Sequence, residues 1–176
     1  MTIGGRLLTI GGHAPHVDPR AWVAPDATVA GDVTIGADSS VWYSASIRAE
    51  VEPVRIGAGA NVQDCAVIHV DSGYPATIDD DVSVGHSAVL HGCTVHRGTV
   101  IGMRAVVLNG AVIGEGCLVA AGAVVLEGVQ VPAGSLVAGV PGRVVRSLSA
   151  NKQQEMLTGI RLYPEFARMH RTADRG

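Results

Sequence analysis

The sequence predicts an all-β core, a parallel β-helix of hexapeptide repeats, with a C-terminal α-helical tail. Three observations predict it. An aliphatic residue recurs at mostly six-residue steps from Val23 to Val137. A second column of small or β-branched residues runs two positions ahead of the first. Both columns end near Pro141, beyond which apolar residues fall at helix-like intervals among polar ones.

The first column reads Val23, Val29, Ile35, Val41 and Ile47, then Ile56, Val62 and Ile68, then Ile78, Val84 and Leu90. It resumes at Val95 and runs through Ile101, Val107, Ile113, Val119, Val125 and Val131 to Val137. Three steps depart from six: nine between Ile47 and Ile56, ten between Ile68 and Ile78, and five between Leu90 and Val95. The second column includes Ala27, Ala45, Ala66, Ala88, Cys93, Ala105, Ala111 and Cys117, and none of its members is charged. A period of six is the mark of stacked hexapeptide coils. At three hexads per coil the repeats make about six coils. From about Ser147 to Arg171 the segment reads as one or two helices, with Pro164 breaking or starting one of them. The domain boundaries follow: 1–146 for the β-helix, with repeats over about 23–142, and 147–176 for a tail packed on it.

Composition agrees. Aromatic residues are 3% of the chain, hydrophobic residues 47%, and 23 residues are glycine. Such a core must be built from Val, Ile, Leu and Ala, which suits narrow repetitive packing. The formal charge of −3 argues against nucleic-acid and anionic-membrane partners, which need a concentrated positive field. No stretch approaches the roughly 18 apolar residues of a membrane span, and the N-terminus has no apolar core of signal-peptide length. Three cysteines without a pairing pattern fit a reducing compartment, so the expected location is cytoplasmic.

The repeat gives meaning to three histidines. Ile47, Ile68 and Leu90 share one face on successive coils, and each is followed directly by a polar residue: Arg48, His69 and His91. These should form a column spaced by about 4.8 Å. His86 belongs to the adjacent face, one coil from Gln63 and Asp64 in the same register. Within one prism the two faces diverge, whereas in a cyclic trimer His86 of one chain can complete the pair on the next. Three neutral imidazoles with an open position is the ligand set of a catalytic zinc. Other readings stand beside this one: Gln63 and Asp64 also suit a turn cap, and Arg48 with Glu50 an ion pair. His13, His16, His96 and His170 read as turn residues, and Cys93 and Cys117 as core.

The segments "VWYSASIRAE", "NVQDCAVIH", "VSVGHSAVLHGC" and "VIGMRAVVLNGAVIGEG" resemble the gamma-class carbonic anhydrase family over about Pro15 to Arg146. The resemblance implies a three-faced, left-handed β-helix and a homotrimer with metal between subunits. It implies zinc, iron or cobalt on His69, His86 and His91, with carbon dioxide and bicarbonate as the small-molecule partners. Gln63 and Asp64 then lie about the metal's water and the subunit contact, Arg48 near the bicarbonate, and Tyr163 matches a tail tyrosine directed at the metal water. Two departures matter. Glu50 stands where the family has aspartate, and the insertion "HVDSGYPAT" lacks the acidic proton-shuttle loop, which implies weak hydration activity. Two alternatives from other classes remain: a metal-dependent thioesterase acting on coenzyme A thioesters, and a low-activity metal-binding scaffold.

Overall fold

The computed structural model describes residues 5–173; the outer ends of the two expected domains, 1–4 and 174–176, lie outside the described residues. Short parallel strands stack coil upon coil. One face is an eight-stranded sheet running Trp22–Val23, Ser40–Val41, Asn61–Val62, Ser83–Val84, Val100–Ile101, Leu118–Val119 and Ser135–Ala138, with Arg143–Ser147 at its end. The other two faces join into a twelve-stranded sheet. They join because Thr28–Ile35 and Ser46–Ile56 run unbroken around the corner between them.

The column of aliphatic residues is the core. Ile47 lies opposite Ile68, and Ile68 opposite Leu90, each fully buried. Burying one such side chain contributes roughly 1.5–3 kcal/mol. The small column is equally buried, at Ala27, Ala66, Ala88, Ala105 and Ala111, where the chain must bend towards the next face. Its polar members are satisfied: the Ser39 hydroxyl donates to Gly57 O at 2.7 Å and the Thr99 hydroxyl to Gly114 O at 2.9 Å.

The three corners are made differently. Two turn mostly on left-handed glycines, such as Gly98, Gly116 and Gly134 at φ of 68°, 62° and 65°, and Gly110 and Gly128 at 67° and 66°. The third turns on Ser44, Cys65, Ser87 and Arg104, with φ of 58°, 59°, 57° and 58°, and then on Gly122 at 69°. A side chain in this region costs about 1–2 kcal/mol that glycine avoids.

At both ends the strands run beyond the repeat. Arg6–Leu8 pairs with Thr28, Val29 and Ala30, and His16–Val17 pairs with Thr34 and Ile35, so coiling begins before Val23. At the other end, the expected boundary at 146/147 falls inside a strand. Arg143–Ser147 turns back antiparallel along Ser135–Ala138 and covers the edge that the last coil would leave open. The tail is two helices, α1 (Ala150–Ile160) and α2 (Tyr163–Arg171). Ser149 caps α1 by accepting from Lys152 N, and Pro164 starts α2 where its missing N–H costs nothing. Helix α2 lies on Trp22–Val23 and Ser40–Val41, and Arg171 Nη2 donates to Ala21 O at 2.7 Å. Among the described residues, no helix is long and apolar enough to cross a membrane.

All three cysteines are free, Cys93 and Cys117 buried and Cys65 exposed. Burial pushes the Cys93 thiol up to about 12 and raises that of Cys117. Alkylation of the native chain at mildly alkaline pH should therefore label Cys65 alone. Intact mass should show one adduct before unfolding and three after it.

Candidate metal centre

His69 and His91 end the paired strands Val67–His69 and Val89–His91, directly opposite each other. Ile68 and Leu90 point inward, so strand alternation turns both imidazoles outward. Their rings lie 4.9 Å apart, with His69 Nδ1 only 2.9 Å from His91 Nε2.

The outer ring nitrogens decide what meets there. His91 Nδ1 lies 2.7 Å from Asn109 Oδ1, and Asn109 Nδ2 donates to Asp71 Oδ2 at 2.9 Å. That second bond orients the amide, so its oxygen faces the imidazole. His69 Nε2 lies 3.1 Å from Glu50 Oε2. Burial, the largest influence on Glu50, opposes its charge. Its own backbone N–H, the Arg48 charge, and hydrogen bonds from Arg48 and His69 outweigh burial and hold the carboxyl below its ordinary range. Both outer partners are acceptors, so both outer nitrogens carry the proton. Whenever the rings are neutral, their inner nitrogens present lone pairs to each other. Such a contact is repulsive until a cation lies between them, and paired imidazole nitrogens suit zinc and its neighbours among transition metals. The donor set fits a metal ion.

His86 lies elsewhere. It sits past Val84 at the third corner, with Nδ1 2.9 Å from Asp64 Oδ2, a partner that favours the proton of a neutral ring on Nδ1. Among the described residues no group of three His, Cys, Asp or Glu side chains is placed to hold a metal ion within one chain. Gln63 is 7% exposed, and its Nε2 donates to Asn61 Oδ1 and Ser83 Oγ, both at 3.0 Å. Ser83 Oγ also donates to Asn61 Oδ1 at 2.9 Å, and Asn61 Nδ2 is buried without a partner. With both of its hydrogens engaged, Gln63 has only its carbonyl oxygen to offer a ligand. Arg48 pairs with Glu50 through a hydrogen bond, on the strand Ser46–Ile56.

A cleft of ≈ 220 Å³ adjoins His86 and Asp64, walled by Trp42, Tyr163, Phe166, Met169 and His170. Tyr163 meets Trp42 edge-on at 5.7 Å. Burial and the Asp64 charge raise the pKa of its phenol, so it stays protonated. His170 is not the turn residue expected: it sits on α2, packs against Trp22 and Trp42, and its Nδ1 lies 2.9 Å from Tyr43 OH. Arg48, Glu50, His69 and His91 are thus brought together on one face, and Gln63, Asp64, His86 and Tyr163 on another. Sequence reasoning missed Asn109, whose only signal is its place two residues after Val107, one position beyond the one that His69 and His91 hold after Ile68 and Leu90.

Stacked parallel coils and paired imidazoles define a hexapeptide-repeat protein with a candidate metal centre. Residues 92–127 match the family "Bacterial transferase hexapeptide (six repeats)". The chain is 59% identical over 111 residues to a "Probable carbonic anhydrase" of Methanocaldococcus jannaschii, covering 63% of this chain and 70% of that one. It is 41% identical over 109 residues to "Gamma carbonic anhydrase 1, mitochondrial" of Arabidopsis thaliana, covering 58% of this chain and 40% of that one. A crystal structure of a "putative acetyltransferase" of Bacillus cereus superimposes with a TM-score of 0.94 at 34% identity, covering 96% of this chain and 98% of that one. The chain belongs to the gamma-class carbonic anhydrase family.

The hydrogen-bonded trio under Gln63 should matter for folding as well as for orientation. Ser83→Ala leaves one buried amide hydrogen without its acceptor. The expected loss in urea-unfolding free energy is about 1–3 kcal/mol.

Proposed function

We propose that the chain catalyses the reversible hydration of carbon dioxide to bicarbonate at a zinc site shared between subunits of a homotrimer. The observation that carries this reading is the pair of ring nitrogens converging from His69 and His91, with His86 on a different face. One chain supplies two rings, and His86 of the partner subunit supplies the third.

Zinc at this position would supply the Lewis acidity that makes water a nucleophile near neutral pH; iron or cobalt would serve the same ligands. The chain's own groups do the rest. Glu50, Asn109 and Asp64 hold the outer nitrogens of the three rings and so keep the inner ones free to ligate. Gln63 accepts a hydrogen bond from the nucleophile through its free carbonyl. Arg48 attracts the bicarbonate anion. Tyr163, as a protonated phenol near His86 and Asp64, donates. The released proton has no dedicated carboxylate in the short insertion, since Asp71 is engaged by Asn109, and turnover is accordingly slow. Three free thiols support a cytoplasmic location.

The cleft beside His86 favours a second reading. Its walls of Trp42, Tyr163, Phe166 and Met169 exceed what carbon dioxide needs and suit an apolar acyl group. The same centre would then hydrolyse coenzyme A thioesters.

Stopped-flow hydration of carbon dioxide, with metal and mass quantified on the same sample, tests both readings. The expected result is a trimer with about one zinc per chain, and hydration lost by at least about 100-fold in His86→Ala. Full zinc with no hydration, but turnover of an aromatic acyl thioester, selects the second reading. Full zinc with neither activity leaves a metal-binding scaffold, and absence of metal overturns the enzyme readings together.

A further inference from the structure

The metal reading concerns three imidazoles, yet the most fully built polar arrangement beside them lies behind His91. Asn109 stands between that ring and the turn Asp71–Tyr74. Its Oδ1 lies 2.7 Å from His91 Nδ1, and its Nδ2 donates to Asp71 Oδ2 at 2.9 Å. Asp71 Oδ2 is itself 3.9 Å from His91 Nδ1, too far for a direct hydrogen bond. The carboxylate therefore acts on the ring through the amide. The turn that carries it is fixed at two points, by Tyr74 N donating to Asp71 O at 2.8 Å and by Gly73 N donating to Glu52 Oε1 at 2.9 Å.

The backbone makes room for this arrangement. Gly92, directly after His91, has φ of +52°. A Cβ there would collide with Asn109 Oδ1 and lie 2.6 Å from the Tyr74 Cβ. No side chain fits at position 92 while Asn109 and the turn keep their places. A plain turn role for Asn109, before Gly110, would leave its amide free, whereas here both ends are engaged by groups from two other coils.

We propose that Asn109 and Asp71 form a positioning pair that holds His91 in the Nδ1–H tautomer and strengthens Nε2 as a metal ligand. The proposal rests on the metal reading above. An amide whose N–H is drawn to a carboxylate has a more electron-rich oxygen, because hydrogen bonds in series polarise one another. That oxygen takes the Nδ1 proton more strongly and leaves Nε2 more basic. Outer partners of ligating histidines act in this way, and their loss lowers metal affinity about 10–100-fold. The geometry also gives the short insertion a role, since Asp71 serves the ligand from behind and reaches the centre only through Asn109.

The test uses the full chain in two forms. In metal-free protein, long-range proton–nitrogen NMR reads the His91 tautomer; chelator competition then reads zinc affinity. The expected result is Nδ1–H in the parent. Asn109→Ala should give mixed tautomers at His91 with those of His86 unchanged, and zinc affinity about 10–100-fold lower. Asp71→Asn replaces a group that is 58% exposed, so it should fold normally, and it should lose less affinity with the same direction of change. Joining Asn109→Asp to Asp71→Asn moves the charge next to the ring and restores an N–H to hold it; this double variant should recover the tautomer and most of the affinity. An unchanged His91 tautomer in Asn109→Ala, or a double variant no better than Asp71→Asn in both readouts, overturns the pair while leaving the metal reading intact. A parent chain with the Nδ1–H tautomer and no zinc affinity overturns the metal reading, and with it the claim that the pair serves a ligand.

Discussion

Every feature of this molecule depends on backbone hydrogen bonds between one coil and the next. Val67 N donates to Ala88 O at 2.9 Å and Val89 N to Ala105 O at 2.9 Å, and the same link recurs up each face. It fixes the register, and the register decides everything that side chains can do. An inward aliphatic at Ile68 commits His69 to the outside, and an inward Leu90 commits His91 to the place directly above it. Two residues far apart in sequence become neighbours without either contributing to the fold. The core and the site thus use the same ladder but opposite sides of it.

The centre itself is defined by groups one step removed from the nitrogens that face each other. Two bare imidazoles at 2.9 Å would share a proton as readily as a metal. Glu50 and Asn109 hold the outer protons and so leave the inner nitrogens as the free donors of electron pairs, while the Glu50 backbone N–H and the Arg48 charge outweigh the burial of Glu50. Gln63 follows the same logic on the neighbouring face, where Asn61 and Ser83 consume its donors. On both faces, the groups behind a side chain decide which of its atoms is left free.

Much of this was legible from period alone. The inward columns could be read because nearly every member is fully buried, so a break in pattern would have opened the core. The pairing of His69 with His91 and the separation of His86 follow from the same count. The terminal strands were not legible, because Arg6–Leu8 and Arg143–Ser147 are exposed along their length and need no alternation. Nor could a hexad count place His170, whose contacts with Trp22 and Trp42 depend on how α2 docks. Asn109 was hidden for a related reason. It lies one position past the readable column, and its partner Asp71 sits in the one turn that departs furthest from six.

That ten-residue step between Ile68 and Ile78 has a further consequence. In a solenoid each coil answers only to the coils on either side, so extra chain at a corner is absorbed locally. The strands on both sides of the turn keep their register, Ile68 with Leu90 and Ile78 with Val95, as if nothing had been inserted. The turn is thus a place where evolution can lengthen, shorten or recharge the edge of the centre without retuning the scaffold. Divergence of chemistry within such a family needs no new fold, only a different excursion at one corner.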